Sequence, residues 1–115
     1  QIIGFAMGIV PQSIPYTYFL WDIGIDPSYQ RQEIGTAILR EIENELEKLG
    51  FIRIEVTIDP INTSSQKLFE KMGYKNISGK ERNTIKVHGN IAIQDYYSPG
   101  RHFMLYEKQI AKYDK

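Results

Sequence analysis

The stretch YTYFLWDIGIDPSYQRQEIGTAILREIENELEKLG, residues 16–50, changes its periodicity midway, and that change decides the fold. Tyr16 to Ile25 is rich in aromatic and β-branched residues and reads as a buried strand, which Asp26-Pro27 ends. From Ile34 the apolar residues Ala37, Ile38, Ile42, Leu46 and Leu49 recur at the spacing of one helical face, and Gly50 follows in the stop position. The other face carries Glu41, Glu43, Glu45, Glu47 and Lys48, the pattern of a solvated helix surface. The loop between strand and helix leaves backbone N–H groups unpaired with the positive end of the helix dipole behind them, an arrangement that suits a phosphate or pyrophosphate. By spacing alone the same junction is also an ordinary structural feature of α/β folds.

Upstream, Ile2 to Val10 reads as a buried strand and Pro11 to Pro15 as a turn. Downstream, Phe51 to Ile58 alternates Ile52, Ile54, Val56 and Ile58 against Arg53, Glu55 and Thr57, which predicts a strand with two chemically different faces, broken by Asp59-Pro60. Thr63-Ser64-Ser65-Gln66 has the spacing of a capping box. It opens a short helix with Ser65, Leu68, Phe69 and Met72 on one face, and Gly73 closes it. The order strand, strand, helix, strand, helix is mixed α/β. After Gly73, Tyr74–Arg82, Thr84–His88, Ile91–Tyr97 and His102–Gln109 read as short antiparallel strands, with turns at Gly79, Gly89-Asn90 and Ser98-Pro99-Gly100.

The chain of 115 residues suits one domain, 1–115, and its 42% hydrophobic and 24% charged content is that of a folded globular protein. Fourteen basic residues balance fourteen acidic ones, so no overall field draws it to nucleic acid or an anionic membrane. Cysteine is absent, which removes thiolate metal sites, disulfides and thiol nucleophiles and points to a reducing, cytoplasmic compartment. The apolar runs are too short to span a bilayer. His88 and His102 have no partner at ligand spacing, so no metal is expected.

Two runs, IGIDPSYQRQEIGTAIL (23–39) and IEVTIDPINTSSQKLFEKMGYK (54–75), resemble the core motifs of the GNAT superfamily of N-acetyltransferases, and the resemblance covers nearly the whole chain. It implies a mixed, mostly antiparallel central sheet flanked by helices. In the family's order a strand, two helices and a further strand precede the position of Ile2–Val10, so the chain is expected to lack that N-terminal part. The family's pyrophosphate loop falls on Gln30, Arg31, Gln32, Glu33, Ile34 and Gly35, leading into Thr36, and its second motif on Asn62 to Tyr74. Acetyl-CoA is the implied co-substrate, with Asn62, Ser65 and Phe69 also at cofactor-binding positions. Three residues depart from the pattern. Glu33 replaces the loop's first glycine, favourably placed in a helix's first turn at the cost of weaker cofactor affinity. Ser65 replaces an alanine. Phe69 stands where many relatives have a tyrosine that protonates the CoA thiolate, and phenylalanine cannot donate a proton.

The implied reaction removes a proton from an amine, which then attacks the thioester carbonyl, and a backbone N–H stabilises the oxyanion. By resemblance that N–H lies around Ile23, Gly24 and Ile25. Glu55 is the first candidate base, against the reading of an exposed strand carboxylate, and Asp22 the second, because alternation puts it on the face opposite Trp21 and Ile23. Tyr96 and Tyr97 are candidate acids in place of Phe69, or else packing residues. The tail YYSPGRHFMLYEK is similar to that of N-terminal protein acetyltransferases, whereas FLWDIGIDP, the phenylalanine at position 69 and the H-x-x-L-Y ending are similar to diaminobutyrate acetyltransferases. The acceptor is therefore an amine of a small molecule or a peptide, and a second copy of the chain, a homodimer, is a candidate partner. The alternative is a catalytically inactive acyl-CoA-binding or interaction domain, motivated by Glu33 and Phe69.

Overall fold

The computed structural model describes residues 4–9, 16–25 and 32–111, with side chains at 16–20 and 34–111. Its elements are β1 (Gly4–Ile9), β2 (Thr17–Ile25), α1 (Gln32–Lys48), β3 (Arg53–Ile58), α2 (Thr63–Lys71), β4 (Lys75–Asn76), a 3-10 turn (Ser78–Lys80), β5 (Thr84–Val87), β6 (Asn90–Ile93) and β7 (Met104–Gln109). One sheet has the strand order β1-β2-β3-β7-β4, and β5 and β6 form a second. The architecture is the expected mixed α/β, and the pairs β1–β2, β4–β7 and β5–β6 are antiparallel. The chain parts into two compact units, Gln1–Glu55 with Gln109–Lys115, and Val56–Lys108.

In the first unit β1 and β2 pair from Gly4 opposite Ile25 to Ile9 opposite Phe19, with a shift of register. Met7 faces Asp22 but Gly8 faces Leu20, which leaves Trp21 as the extra residue of a β-bulge. The simple alternation used to place Asp22 therefore does not run through this strand. Helix α1 buries Gly35, Thr36, Leu39 and Leu46, while Ala37 is exposed and Leu49 is 73% exposed. The buried stripe thus runs through Leu39 rather than Ala37, and Leu49 lies beyond the helix. Gly50, at φ +96°, ends α1 in a Schellman motif: its N–H bonds Glu47 O and the Phe51 N–H bonds Leu46 O, both at 3.0 Å.

In the second unit the outer half of β3 alternates as expected, with Val56 and Ile58 buried. Helix α2 is capped by Asn62, whose Oδ1 accepts from the Ser65 N–H at 3.1 Å. The expected Thr63–Gln66 capping box does not form. Asp59 accepts from the Ile61 and Asn62 N–H groups and turns the chain one residue earlier, so Asn62, at least as good a cap as threonine, takes the position, and the Gln66 amide donates to Pro60 O. Gly73, at φ +94°, repeats the Schellman ending, and Phe69 meets Tyr74 edge-on at 4.9 Å. The expected strand Tyr74–Arg82 stops after Asn76, because Asn76 Oδ1 accepts from the Ser78 N–H and folds the chain into the 3-10 turn. There the buried Ser78 hydroxyl accepts from the Leu105 N–H.

Candidate active site

The expected anion-binding junction is partly described. Gln30 and Arg31 lie outside the described residues, as does Asp26-Pro27, and for Asp22, Ile23, Gly24, Ile25, Gln32 and Glu33 the backbone alone is described. Gln32 is the first residue of α1, so the glutamate at 33 occupies its first turn. Gly35 and Thr36 are buried, Thr36 at 7% exposure, and the Thr36 Oγ1 has no hydrogen-bond partner among the described residues. An unpaired buried hydroxyl costs free energy unless something meets it. The start of α1 thus combines helix N–H groups with an unmet hydroxyl. A groove of about 390 Å³ elsewhere on α1 offers no such chemistry. Its walls are Tyr18, Leu20, Ile38, Ile42 and Leu46, and its charged groups, Glu41 and Glu45, would repel an anion.

Glu55 leaves β3 on its half-buried face with Arg53 and Thr57, while Ile54, Val56 and Ile58 enter the core at 0%, 4% and 2% exposure. Arg53 donates to the buried Thr17 hydroxyl at 2.9 Å. Tyr96 and Tyr97 are not in a strand, because β6 stops at Ile93 and Asp95 turns the chain at φ +53°. They stand in a loop, edge-on to one another at 4.7 Å, and Tyr97 is edge-on to Phe103 at 4.9 Å. The Tyr97 hydroxyl is 2.9 Å from Thr57 Oγ1, and either oxygen can donate. Thr57 is the next residue after Glu55 on the same face of β3, a register that was legible; its contact with Tyr97, forty positions away, was not.

The remaining second-motif residues take structural positions. Asn62 is exposed and caps α2, Ser65 is half-buried, and Phe69 is 4% exposed against Tyr74. Phe69 is thus a core residue, consistent with the loss of a proton donor there. On the same helix Glu70 accepts from the Tyr106 hydroxyl at 2.8 Å. Burial, then that bond and the carboxylate's charge, push the Tyr106 phenol well above its ordinary range. Tyr106 is therefore a fixed donor and not a proton shuttle at neutral pH. Among the described residues no group of three or more metal-ligating side chains is assembled, and no helix is long and apolar enough to cross a membrane.

The profile of the acetyltransferase (GNAT) family matches residues 1–74. The L-2,4-diaminobutyric acid acetyltransferase of Marinococcus halophilus is 28% identical over 75 residues, 65% of this chain and 44% of that protein. The ribosomal protein bS18-alanine N-acetyltransferase of Escherichia coli strain K12 is 36% identical over 55 residues, 48% of this chain and 37% of that protein. The chain thus spans less than half the length of these curated relatives. Among solved structures, the Escherichia coli ribosomal-protein-S18-alanine N-acetyltransferase superposes with a TM-score of 0.70 at 23% identity, covering 98% of this chain and 64% of that one. A Salmonella typhimurium protein solved with its cofactor acetyl-CoA gives 0.71 at 15% identity, with 98% and 61% covered. At these identities the likeness is one of fold.

Proposed function

The chain belongs to the GNAT acetyltransferase family, and from that premise we propose that residues 1–115 act as one acetyltransferase domain, moving the acetyl group of acetyl-CoA to a primary amine of a small molecule or peptide by direct attack. The observation that carries the reading is the buried Thr36 hydroxyl, one turn into α1, which has no hydrogen-bond partner among the described residues. A pyrophosphate oxygen is an acceptor for that hydroxyl and for the helix N–H groups around it. Gln30 to Thr36 form the first cofactor-binding set, and Asn62, Ser65 and Phe69 are carried over from the family as the second.

Glu55 takes the proton from the incoming ammonium, directly or through one water, and Asp22 is the competing base. The amine nitrogen forms its bond to the thioester carbonyl carbon, and a backbone N–H around Ile23–Ile25 donates to the oxyanion. When the carbon–sulfur bond breaks, the thiolate takes a proton from Tyr97 or Tyr96, since Phe69 has none to give, and the tyrosinate recovers the surplus proton from the new amide's nitrogen. Curated relatives named for diaminobutyric acid and for a ribosomal protein alanine support both acceptor classes. A cytoplasmic location and a homodimer belong to the same reading; fractionation and light scattering test them.

Calorimetry with CoA and acetyl-CoA, paired with thiol release across an amine panel, tests the whole. Both ligands should bind and at least one amine should be acetylated. Absence of binding at millimolar ligand overturns the assignment, and binding without turnover identifies an acyl-CoA-binding domain instead. Thr36→Val should weaken both ligands while leaving the free protein as stable or more so, because it removes an unpaired buried hydroxyl at nearly constant volume.

A further inference from the structure

Residues 94–102 form a loop closed at its base by reciprocal backbone bonds, Ile93 N–H to Phe103 O at 2.8 Å and Phe103 N–H to Ile93 O at 3.2 Å. Within it the Tyr96 N–H bonds Arg101 O at 2.9 Å and the Arg101 N–H bonds Ser98 O at 3.0 Å. Asp95 turns the chain at φ +53°, a region an L residue keeps when its surroundings hold it there. Two groups hold it. The Gly100 N–H donates to Asp95 Oδ1 at 2.8 Å, and the Asp95 N–H donates to His102 Nδ1 at 3.0 Å.

The second bond fits one tautomer of His102. A backbone N–H can only donate, so Nδ1 must present its lone pair, and the neutral imidazole carries its proton on Nε2. Asp95 Oδ1 lies 3.7 Å from the same nitrogen. A proton on Nδ1 would set donor against donor at the Asp95 N–H.

We propose that His102 is a positioning residue for Tyr97: its Nδ1 latches Asp95, and the latched loop holds the Tyr97 hydroxyl against Thr57. The proposal rests on the reading that Tyr97 serves acetyl transfer. Three other residues shape the tyrosine: Tyr96 and Phe103 pack edge-on against it, and Arg101 stacks on Phe103 with its Cζ 5.4 Å from the ring centre. Of the side chains of Phe103, Arg101 and His102, it is that of His102 that bonds the backbone at Asp95, where the chain turns toward the tyrosines.

The test uses His102→Leu, which removes the acceptor, His102→Asn, whose Oδ1 offers an acceptor near the place of Nδ1, and Tyr97→Phe. Imidazole ¹⁵N shifts of the wild type should show His102 protonated at Nε2. The Overhauser contact between the Tyr97 ring and the Thr57 methyl should be lost in His102→Leu and kept in His102→Asn. In turnover, His102→Leu should lower kcat by about 10²-fold, the scale of a displaced catalytic group, with the acetyl-CoA KM unchanged and His102→Asn recovering most of the rate. Added to Tyr97→Phe, His102→Leu should cost nothing further. A proton on Nδ1, an unchanged Tyr97–Thr57 contact in His102→Leu, or full additivity with Tyr97→Phe overturns the latch. If the wild type acetylates no amine, the reading of the site fails while the ¹⁵N and Overhauser results still decide the latch; if His102→Leu does not fold, His102→Asn losing the contact overturns it.

Discussion

Tyr106, at 1% exposure, is held in its protonated form by burial and by its bond to the Glu70 carboxylate, which push its pKa up from the ordinary phenol value. Its raised folded-state pKa makes the sign definite: the folded state favours the protonated phenol. The associated stability is whole below the unfolded phenol's pKa of about 10 and is lost as pH rises beyond it. Urea unfolding should therefore weaken more steeply above pH ~10 in the wild type than in Tyr106→Phe, and at neutral pH the variant should be less stable by about 1 kcal/mol, because exposed Glu70 can turn to water when its donor is gone. Equal alkaline slopes would show that another group is responsible. Glu55 makes the kinetic prediction at this scale. Glu55→Gln keeps size and hydrogen bonding but cannot accept a proton, so kcat should fall by about 10²- to 10⁴-fold with acetyl-CoA affinity unchanged and the acidic limb of the pH–rate profile removed. Should Glu55→Gln turn over normally while Asp22→Asn does not, the base lies on β2. If Asp22→Asn, Tyr96→Phe and Tyr97→Phe are active as well, the domain accelerates the reaction by positioning alone.

The helices end by one device used twice, and it was legible because glycine is the residue that adopts positive φ without strain. At Gly73 an added Cβ would lie 3.7 Å from the Lys108 side chain, an ordinary contact, so Gly73→Ala tests conformation alone. It should cost about 1–2 kcal/mol. Asn62→Ala, which strands the Ser65 N–H, should cost about 1 kcal/mol. Urea midpoints measure both, and no loss in Asn62→Ala would mean that Thr63 can take over the cap. Starts were harder to read than ends: asparagine, threonine and serine stand together at 62–65, and the tertiary turn made by Asp59 chooses among them. The helical stripe of α1 was read correctly at Leu46 but included the exposed Ala37 and omitted Leu39, two positions on, which is fully buried.

For the molecule as a whole, mass action gives a direct test. Acetyl-CoA at a hundred times its Kd should stabilise the native state by about 2.7 kcal/mol and raise the Tm, and free CoA should act nearly as well because the phosphates are shared. A shift with acetyl-CoA but none with CoA would place the anchor on the acetyl end and remove the role assigned to the start of α1.

The sequence by itself determined the α/β class, the strand-loop-helix junction and the family, because periodicity, glycine stops and motif spacing are local properties of the chain. It also offered Glu55 and the two tyrosines as candidates for the site. Tertiary structure alone decided two things. The bulge at Trp21 depends on the register of two strands. The meeting of Tyr97 with Thr57 depends on a loop held by His102 and Asp95 and on residues forty positions apart. Such contacts are fixed by the closure of the chain on itself, and no window of sequence contains both partners.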